Sequence, residues 1–119
     1  MNHIEAIKER FQTAFESSRE ALTAMGDSNR QLIMRTLIEH CGTKGLRVGE
    51  IQKNANISRA AVSHHLKVLR EAGVVNIRRE GTKNYYYLDS QSTSLRNVIE
   101  LWKIAEEMML FCPHNRKKE

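Results

Sequence analysis

The chain has 119 residues, of which 40% are hydrophobic and 28% are charged, and these values are ordinary for a single globular domain. Its longest apolar stretches are far shorter than the roughly 20 residues that cross a bilayer, and residues 1–10 lack the apolar core of a signal peptide. We therefore expect one cytoplasmic domain with no membrane partner. The net charge of +5 favours a polyanionic partner.

Most of the net positive charge lies between residues 58 and 88, where six basic side chains accompany two acidic ones. The two cysteines, Cys41 and Cys112, are too few for a disulfide framework and lack the paired spacing of a structural zinc site. The sequence therefore predicts neither a resident metal nor a cofactor.

The chain begins with a predicted helix. Apolar or small side chains recur at alternating spacings of three and four over residues 3–25, and the stripe is broad enough for packing against both its own domain and a partner chain. Gly26 ends this helix. Asp27 or Ser28 then caps a second helix that runs on towards Cys41.

A short strand is predicted over residues 46–48, followed by a helix-turn-helix over residues 49–72. Ser58 is a suitable cap for its second helix, and Gly73 is a suitable end. Two strand-like runs over residues 74–89, separated by the four residues Glu80 to Lys83, predict a β-hairpin with a basic tip.

A final helix is predicted from about residue 94 to 111, with another broad apolar face and Pro113 beyond its end. This order of elements predicts a mainly α fold with a small β-hairpin. The architecture is a winged helix-turn-helix, in a single domain over residues 1–119, with the hairpin as the wing.

The second helix of the helix-turn-helix has two faces. Val62, Leu66 and Leu69 should pack inward, and the polar opposite face should enter the DNA major groove. Its N-terminal end is predicted to read bases, whereas later residues and the wing meet phosphates. A solvated helix face is the alternative from charge alone. The predicted DNA-binding residues are Ser58, Arg59, Ala60, Ser63, His64, His65, Lys67, Arg70, Arg78, Arg79 and Lys83.

The segment ISRAAVSHHLKVLREAGVVNIRREGTKNYYYL resembles the recognition helix and wing of the ArsR/SmtB family of bacterial regulators. MGDSNRQLIMRTL stands where the family has its second helix, and the likeness covers nearly the whole chain. By this resemblance, Ser63, His65 and Leu66 match the family's serine, histidine and leucine signature. Helix geometry favours His65 as a structural or phosphate-contacting residue over a base-reading one.

The resemblance also implies a homodimer, formed by the first and last helices, that binds double-stranded operator DNA. This agrees with the apolar stripes of residues 1–25 and 94–112. Two recognition helices would then meet successive major grooves about 34 Å apart on a roughly palindromic site. The predicted interface residues are Ile4, Ile7, Phe11, Leu95, Val98, Trp102, Ala105 and Met109.

Members of this family often repress transcription and release DNA when they sense a metal ion or an oxidant. This sequence departs from both metal-site patterns, because the helix just before the recognition helix, in the stretch RVGEIQKNANIS, has no cysteine, and Asp89 is followed by no histidine until His114. Cys41 and Cys112 remain, each near the end of a helix. The alternatives are a thiol switch, a metal site shared with neighbouring histidines, or two small apolar packing residues.

Two functions of different classes follow from these patterns. The first is a sequence-specific regulator, a repressor released by an inducer such as an oxidant. The second is a protein-interaction module, because winged helices also serve as scaffolding surfaces. A basic recognition face together with a basic wing favours DNA binding. An enzyme is disfavoured, since the sequence has no phosphate loop, nucleophile elbow or paired-carboxylate site.

Overall fold

The structure is a computed structural model that describes residues 2–115; Met1 and residues 116–119 of the predicted domain lie outside the described part. Its elements are α1 (His3–Met25), α2 (Ser28–Glu39), α3 (Val48–Gln52), α4 (Arg59–Glu71), β1 (Val75–Glu80), β2 (Lys83–Leu88), α5 (Thr93–Met109) and a 3-10 turn (Pro113–Asn115). This order confirms the mainly helical fold with one antiparallel hairpin. None of the helices described is long and apolar enough to cross a membrane.

Side-chain caps define where three of the helices begin. Asp27 accepts hydrogen bonds from two backbone N–H groups of the first turn of α2, at 2.9 and 3.0 Å. Ser58 accepts from the N–H of the first turn of α4 at 3.1 Å, which confirms the predicted cap, and Ser92 caps α5 in the same way. Such caps satisfy amide groups that have no partner within the helix.

The second helix ends earlier than predicted. α2 stops at Glu39, and the backbone N–H of Cys41 donates to Ile38 three residues before it, at 3.1 Å. This tighter bonding closes the helix before Cys41. The cysteine therefore lies in the loop that follows α2.

The core lies beneath α4, where α2, α3 and the hairpin meet. The predicted inner face of α4 is confirmed, because Val62, Leu66 and Leu69 are fully buried. They belong to one apolar cluster with Ile33 of α2 and Ile51 of α3. Burying a side chain of this size stabilises the fold by about 1.5–3 kcal/mol, so the core fixes α4 firmly with its polar face outward.

The hairpin turn is shorter than predicted. Glu80 pairs directly with Lys83, so the loop has two residues instead of four. Gly81, at the first loop position, has a positive φ of 59°, as a type II′ turn requires. The turn places Arg79 and Lys83 at the tip of the wing, with their side chains on opposite faces of the hairpin, because Arg79 pairs with Asn84 and Lys83 pairs with Glu80.

The predicted strand over residues 46–48 is wrong. Only Leu46 pairs, through reciprocal backbone hydrogen bonds of 3.0 and 2.8 Å with Tyr86 of β2. Val48 already belongs to α3, and this leaves no length for a strand. The single bridge still ties the loop after α2 to the base of the wing.

Helices α1 and α5 pack along each other within one chain. Ile7 of α1 and both Leu101 and Ile104 of α5 are buried outside the main core cluster. Arg10 adds ion pairs to Glu100 and Glu107 of α5, at 3.9 and 3.5 Å between the charged atoms. The molecule is consequently elongated, with extents of 55 × 28 × 25 Å.

Candidate nucleic-acid interface

Helix α4 presents a polar, exposed face to solvent. The predicted DNA-contacting side chains on this face are all exposed: Arg59, Ala60, Ser63, His64, Lys67 and Arg70. Their spacing of three and four residues keeps most of them on one side of the helix. Lys67 makes only a 3.9 Å ion pair with Glu71, and both side chains are largely solvated. Such a pair is worth little, so the ammonium group is free to turn to a phosphate.

Arg59 lies at the junction of the two helices of the helix-turn-helix. Its guanidinium group approaches the first turn of α3, where a Cβ atom on Gly49 would lie 3.5 Å from the Arg59 Nη1 atom. A shallow depression beside it is lined by Arg47, Glu50 and Lys53. Arg47 and Lys53 are exposed basic residues that the sequence analysis missed, although the first helix of such a motif crosses the DNA backbone.

The wing carries two different kinds of arginine. Arg79 and Lys83 are exposed at its tip, and neither has an ion pair within residues 2–115. Each of these two side chains is therefore free to reach a phosphate of a bound duplex. Their placement agrees with the predicted phosphate contacts.

Arg78, one of the predicted DNA-binding residues, has several partners within the protein. Its Nη1 atom donates to Glu80 at 2.7 Å, and its Nε and Nη2 atoms donate to the Lys44 carbonyl at 3.3 and 3.2 Å. The guanidinium carbon lies 4.8 Å from the centre of the Tyr85 ring. The Arg78 side chain also holds the pKa of the Glu80 carboxyl below its ordinary value. In this structure, the Arg78 side chain therefore braces the wing.

His65 and Ser58 have partners inside the protein. The Ser58 hydroxyl caps α4, as described above. His65 is half-buried, and Arg30 of α2 donates a hydrogen bond from Nη1 to its Nδ1 atom at 3.1 Å. The sequence does not predict the contact of Arg30 with His65, because the two residues are 35 positions apart and no local pattern links them.

The predicted dimer residues fall into two groups. Ile4, Trp102 and Met109 are exposed on the α1–α5 pair, with Trp102 60% exposed, and Phe11 and Ala105 are half-buried. These side chains are therefore accessible to a partner chain.

Three of the predicted interface residues are already covered within one chain. Ile7 is only 1% exposed, because α5 packs over it. Leu95 and Val98 are half-buried and pack against the main core. An apolar stripe does not reveal whether its own chain or a partner covers each position. These three residues therefore contribute first to the fold of the protomer.

The two cysteines do not meet within one chain. Cys41 lines an open, mostly apolar cavity of about 600 Å³ together with Leu95 and Ile99 of the first half of α5. Cys112 follows the other end of α5, and its backbone N–H donates to Met109 at 3.0 Å. Ile99 and Met109 are ten residues apart, about 15 Å along a helix. A disulfide needs Cα atoms within roughly 7 Å, so this structure disfavours an intrachain link.

Both thiols are exposed in the single chain. Within residues 2–115, no group of three or more histidine, cysteine, aspartate or glutamate side chains is arranged to hold a metal ion.

Comparisons with known proteins agree with this geometry. A family model described as "Bacterial regulatory protein, arsR family" matches residues 27–76, which span α2 to the start of β1. Over 94 residues, the chain is 32% identical to an uncharacterized HTH-type transcriptional regulator of Methanocaldococcus jannaschii. That match covers 79% of this chain and 97% of the relative.

Relatives with named regulatory roles are also similar. The transcriptional activator HlyU of Vibrio cholerae is 36% identical over 80 residues, covering 67% of this chain and 68% of HlyU. The structure of reduced HlyU superimposes with a TM-score of 0.60 at 28% identity, covering 87% of this chain and 98% of that one. The transcriptional repressor SdpR of Bacillus subtilis is 35% identical over 69 residues, 56% of this chain and 70% of SdpR.

Three observations lead to one conclusion: the basic recognition helix and wing, the matching family model, and a relative that is matched over nearly its full length. The chain belongs to the arsR family of regulatory proteins and is a DNA-binding transcriptional regulator with a winged helix-turn-helix fold, not an enzyme.

Proposed function

We propose that this regulator is a homodimeric repressor that occupies a roughly palindromic operator and blocks access to a promoter. The observation that carries the proposal is that two surfaces occur on one chain. The exposed basic face of α4 suits DNA, and the exposed apolar side chains of the α1–α5 pair suit a second copy. Two joined copies would present recognition helices to grooves about 34 Å apart.

Footprinting on the promoter of its own gene tests this proposal. A protected, two-fold symmetric site that overlaps the promoter, with expression rising when the regulator is deleted, is the expected result. The names of the relatives include both an activator and a repressor, so the direction of regulation needs this direct test. A fall in expression after deletion would contradict the proposed repressor role but not the DNA-binding role.

The proposed roles of the basic residues differ with their position. Arg59, Ser63 and His64 lie at the N-terminal end of α4, the end that such motifs direct at base edges. Lys67 and Arg70 lie further along α4, and Arg79 and Lys83 lie on the wing, where phosphates are the nearer acceptors. Base contacts set discrimination, and phosphate contacts set affinity for any duplex.

Arg79→Ala is expected to weaken binding to operator and random duplexes by the same factor. Arg59→Ala is expected to weaken operator binding by about 1–3 kcal/mol and random binding much less, because a base contact is lost. Fluorescence anisotropy with both duplexes at one salt concentration measures these changes. Arg19→Ala, which removes the same charge from the exposed side of α1, is the control. Equal losses on both duplexes for Arg59→Ala would exclude a base-reading role.

We infer that oxidants release the operator through Cys41 itself and not through an intrachain disulfide. Cys41 lines the same cavity as Tyr86 and Leu88 of β2, so a polar sulfenic group there would change the mostly apolar surroundings of the base of the wing. Peroxide converts an accessible thiol to a sulfenic acid with release of water. This chemistry requires no second cysteine.

Mild peroxide treatment is therefore expected to weaken operator binding by the wild type and by Cys112→Ser, and to leave Cys41→Ser unchanged. Intact-mass spectrometry should show added oxygen and no loss of two hydrogens. If oxidation leaves wild-type binding unchanged, neither cysteine is a sensor, and the inducer belongs to another class.

A further inference from the structure

We propose that Arg30 is a positioning residue that holds His65 as a neutral ring protonated on Nε2, the form in which His65 donates to a DNA phosphate. The phosphate contact rests on the proposed DNA-binding face, whereas the state of the ring does not.

Arg30 joins three helices through separate groups. Its Nε atom donates to the Ala24 carbonyl in the last turn of α1, and its Nη1 atom donates to His65 Nδ1 in the middle of α4, at 3.1 Å. Its backbone N–H donates to the capping carboxylate of Asp27 at 3.0 Å. Arg30 is half-buried, so its guanidinium is confined between these partners.

The chemistry of the pair fixes the protonation of the ring. An arginine side chain carries only donors and stays charged at all ordinary pH values. The His65 Nδ1 atom must therefore accept, and a neutral imidazole whose Nδ1 accepts carries its proton on Nε2. A doubly protonated ring would set an N–H group and a positive charge against the guanidinium.

Three ionisable groups surround His65. Arg30 and Asp27 approach from the start of α2, and the ring centre of His64 lies 5.6 Å from that of His65 on α4. The pKa of the Asp27 carboxyl is below its ordinary value, chiefly because the Arg30 backbone N–H donates to it, with the guanidinium acting in the same direction. Asp27 is thus a stable anion that helps to keep Arg30 in place.

The other ring nitrogen is available for DNA. In the part of the chain that the structure describes, His65 Nε2 has no hydrogen-bond partner. His65 lies between the exposed His64 and the buried Leu66, at the edge of the DNA-facing surface of α4. A DNA phosphate offers acceptors only, so an Nε2–H donor matches it. A ring protonated on Nδ1 would instead turn an acceptor towards the phosphate.

Nitrogen-15 NMR of the full chain, labelled at histidine and free of DNA, tests the state of the ring. At neutral pH we expect a protonated Nε2 and an unprotonated Nδ1 for His65, assigned with the variant His65→Gln. In Arg30→Met we expect the tautomers to mix. A wild-type ring protonated on Nδ1 overturns the proposal, and this readout is independent of dimerisation and repression.

Anisotropy with operator and random duplexes tests the phosphate contact. Arg30→Met is expected to bind both duplexes about tenfold more weakly, the size of effect for loss of one hydrogen bond to a charged group. Arg30→Lys, which keeps a cationic donor, should recover part of this loss. Arg35→Met, which removes an exposed arginine from the same helix, is the matched control. Arg30→Met binding at the wild-type level overturns the positioning role.

Discussion

Trp102→Asp is expected to convert the protein to a monomer and to lower operator affinity by about 100-fold or more, because a bivalent contact becomes monovalent. In the single chain, Trp102 is the most exposed large residue of the predicted interface, so the substitution leaves the protomer core intact. In a dimer, the new carboxylate would be buried without a partner, at a cost of several kcal/mol. Sedimentation velocity and anisotropy measure the two effects.

Ile7→Asp provides the contrast for this experiment. Ile7 is covered by its own chain, so a carboxylate there should lower the melting temperature as well as weaken operator binding. Trp102→Asp should instead leave the protomer folded, with a melting temperature close to that of the wild type. Circular dichroism separates the two variants. A wild-type protein that sediments as a monomer and still binds its operator tightly would contradict the dimer.

Leu66→Ala is expected to destabilise the protein by about 2–5 kcal/mol, because it leaves a cavity beneath the recognition helix. Leu66 is fully buried in the cluster that joins α4 to α2 and α3. Domains of this size are stable by only about 5–15 kcal/mol, so the melting temperature should fall by roughly 10 °C or more. Thermal circular dichroism measures the shift.

The stability control for this prediction is His64→Ala on the exposed face of the same helix, which should change stability by less than about 0.5 kcal/mol. Similar melting of Leu66→Ala and the wild type would mean that this leucine does not anchor α4.

Local signals explain why much of the fold was predictable from the sequence. The cap at Ser58 and the break at Gly73 bound α4 to within a residue of the prediction, and both act within a few residues of the helix ends. The strand predicted at residues 46–48 failed because the pairing of Leu46 depends on Tyr86, far along the chain. Propensity alone contains no information on that partner.

In the candidate site, too, local patterns were predictable from the sequence and long-range contacts were not. Helical periodicity was sufficient to separate the exposed and buried faces of α4. The intramolecular contacts of Arg78 involve the Lys44 carbonyl, 34 residues away, and the Tyr85 ring. The contact of Arg30 with His65 is equally distant in sequence. Side chains held by such remote partners look, in the sequence, like any other basic residue.

The internal pairing of Arg78 has a consequence for the thermodynamics of association. A cation that neutralises a phosphate releases condensed counterions, and each such contact makes the binding constant fall with salt by a slope of about 0.9. Because Arg78 already pairs with Glu80, we expect the counterion release of each wing to come mainly from the proposed phosphate contacts of Arg79 and Lys83. We therefore expect DNA binding by the wing to depend less on ionic strength than three unpaired cations would make it.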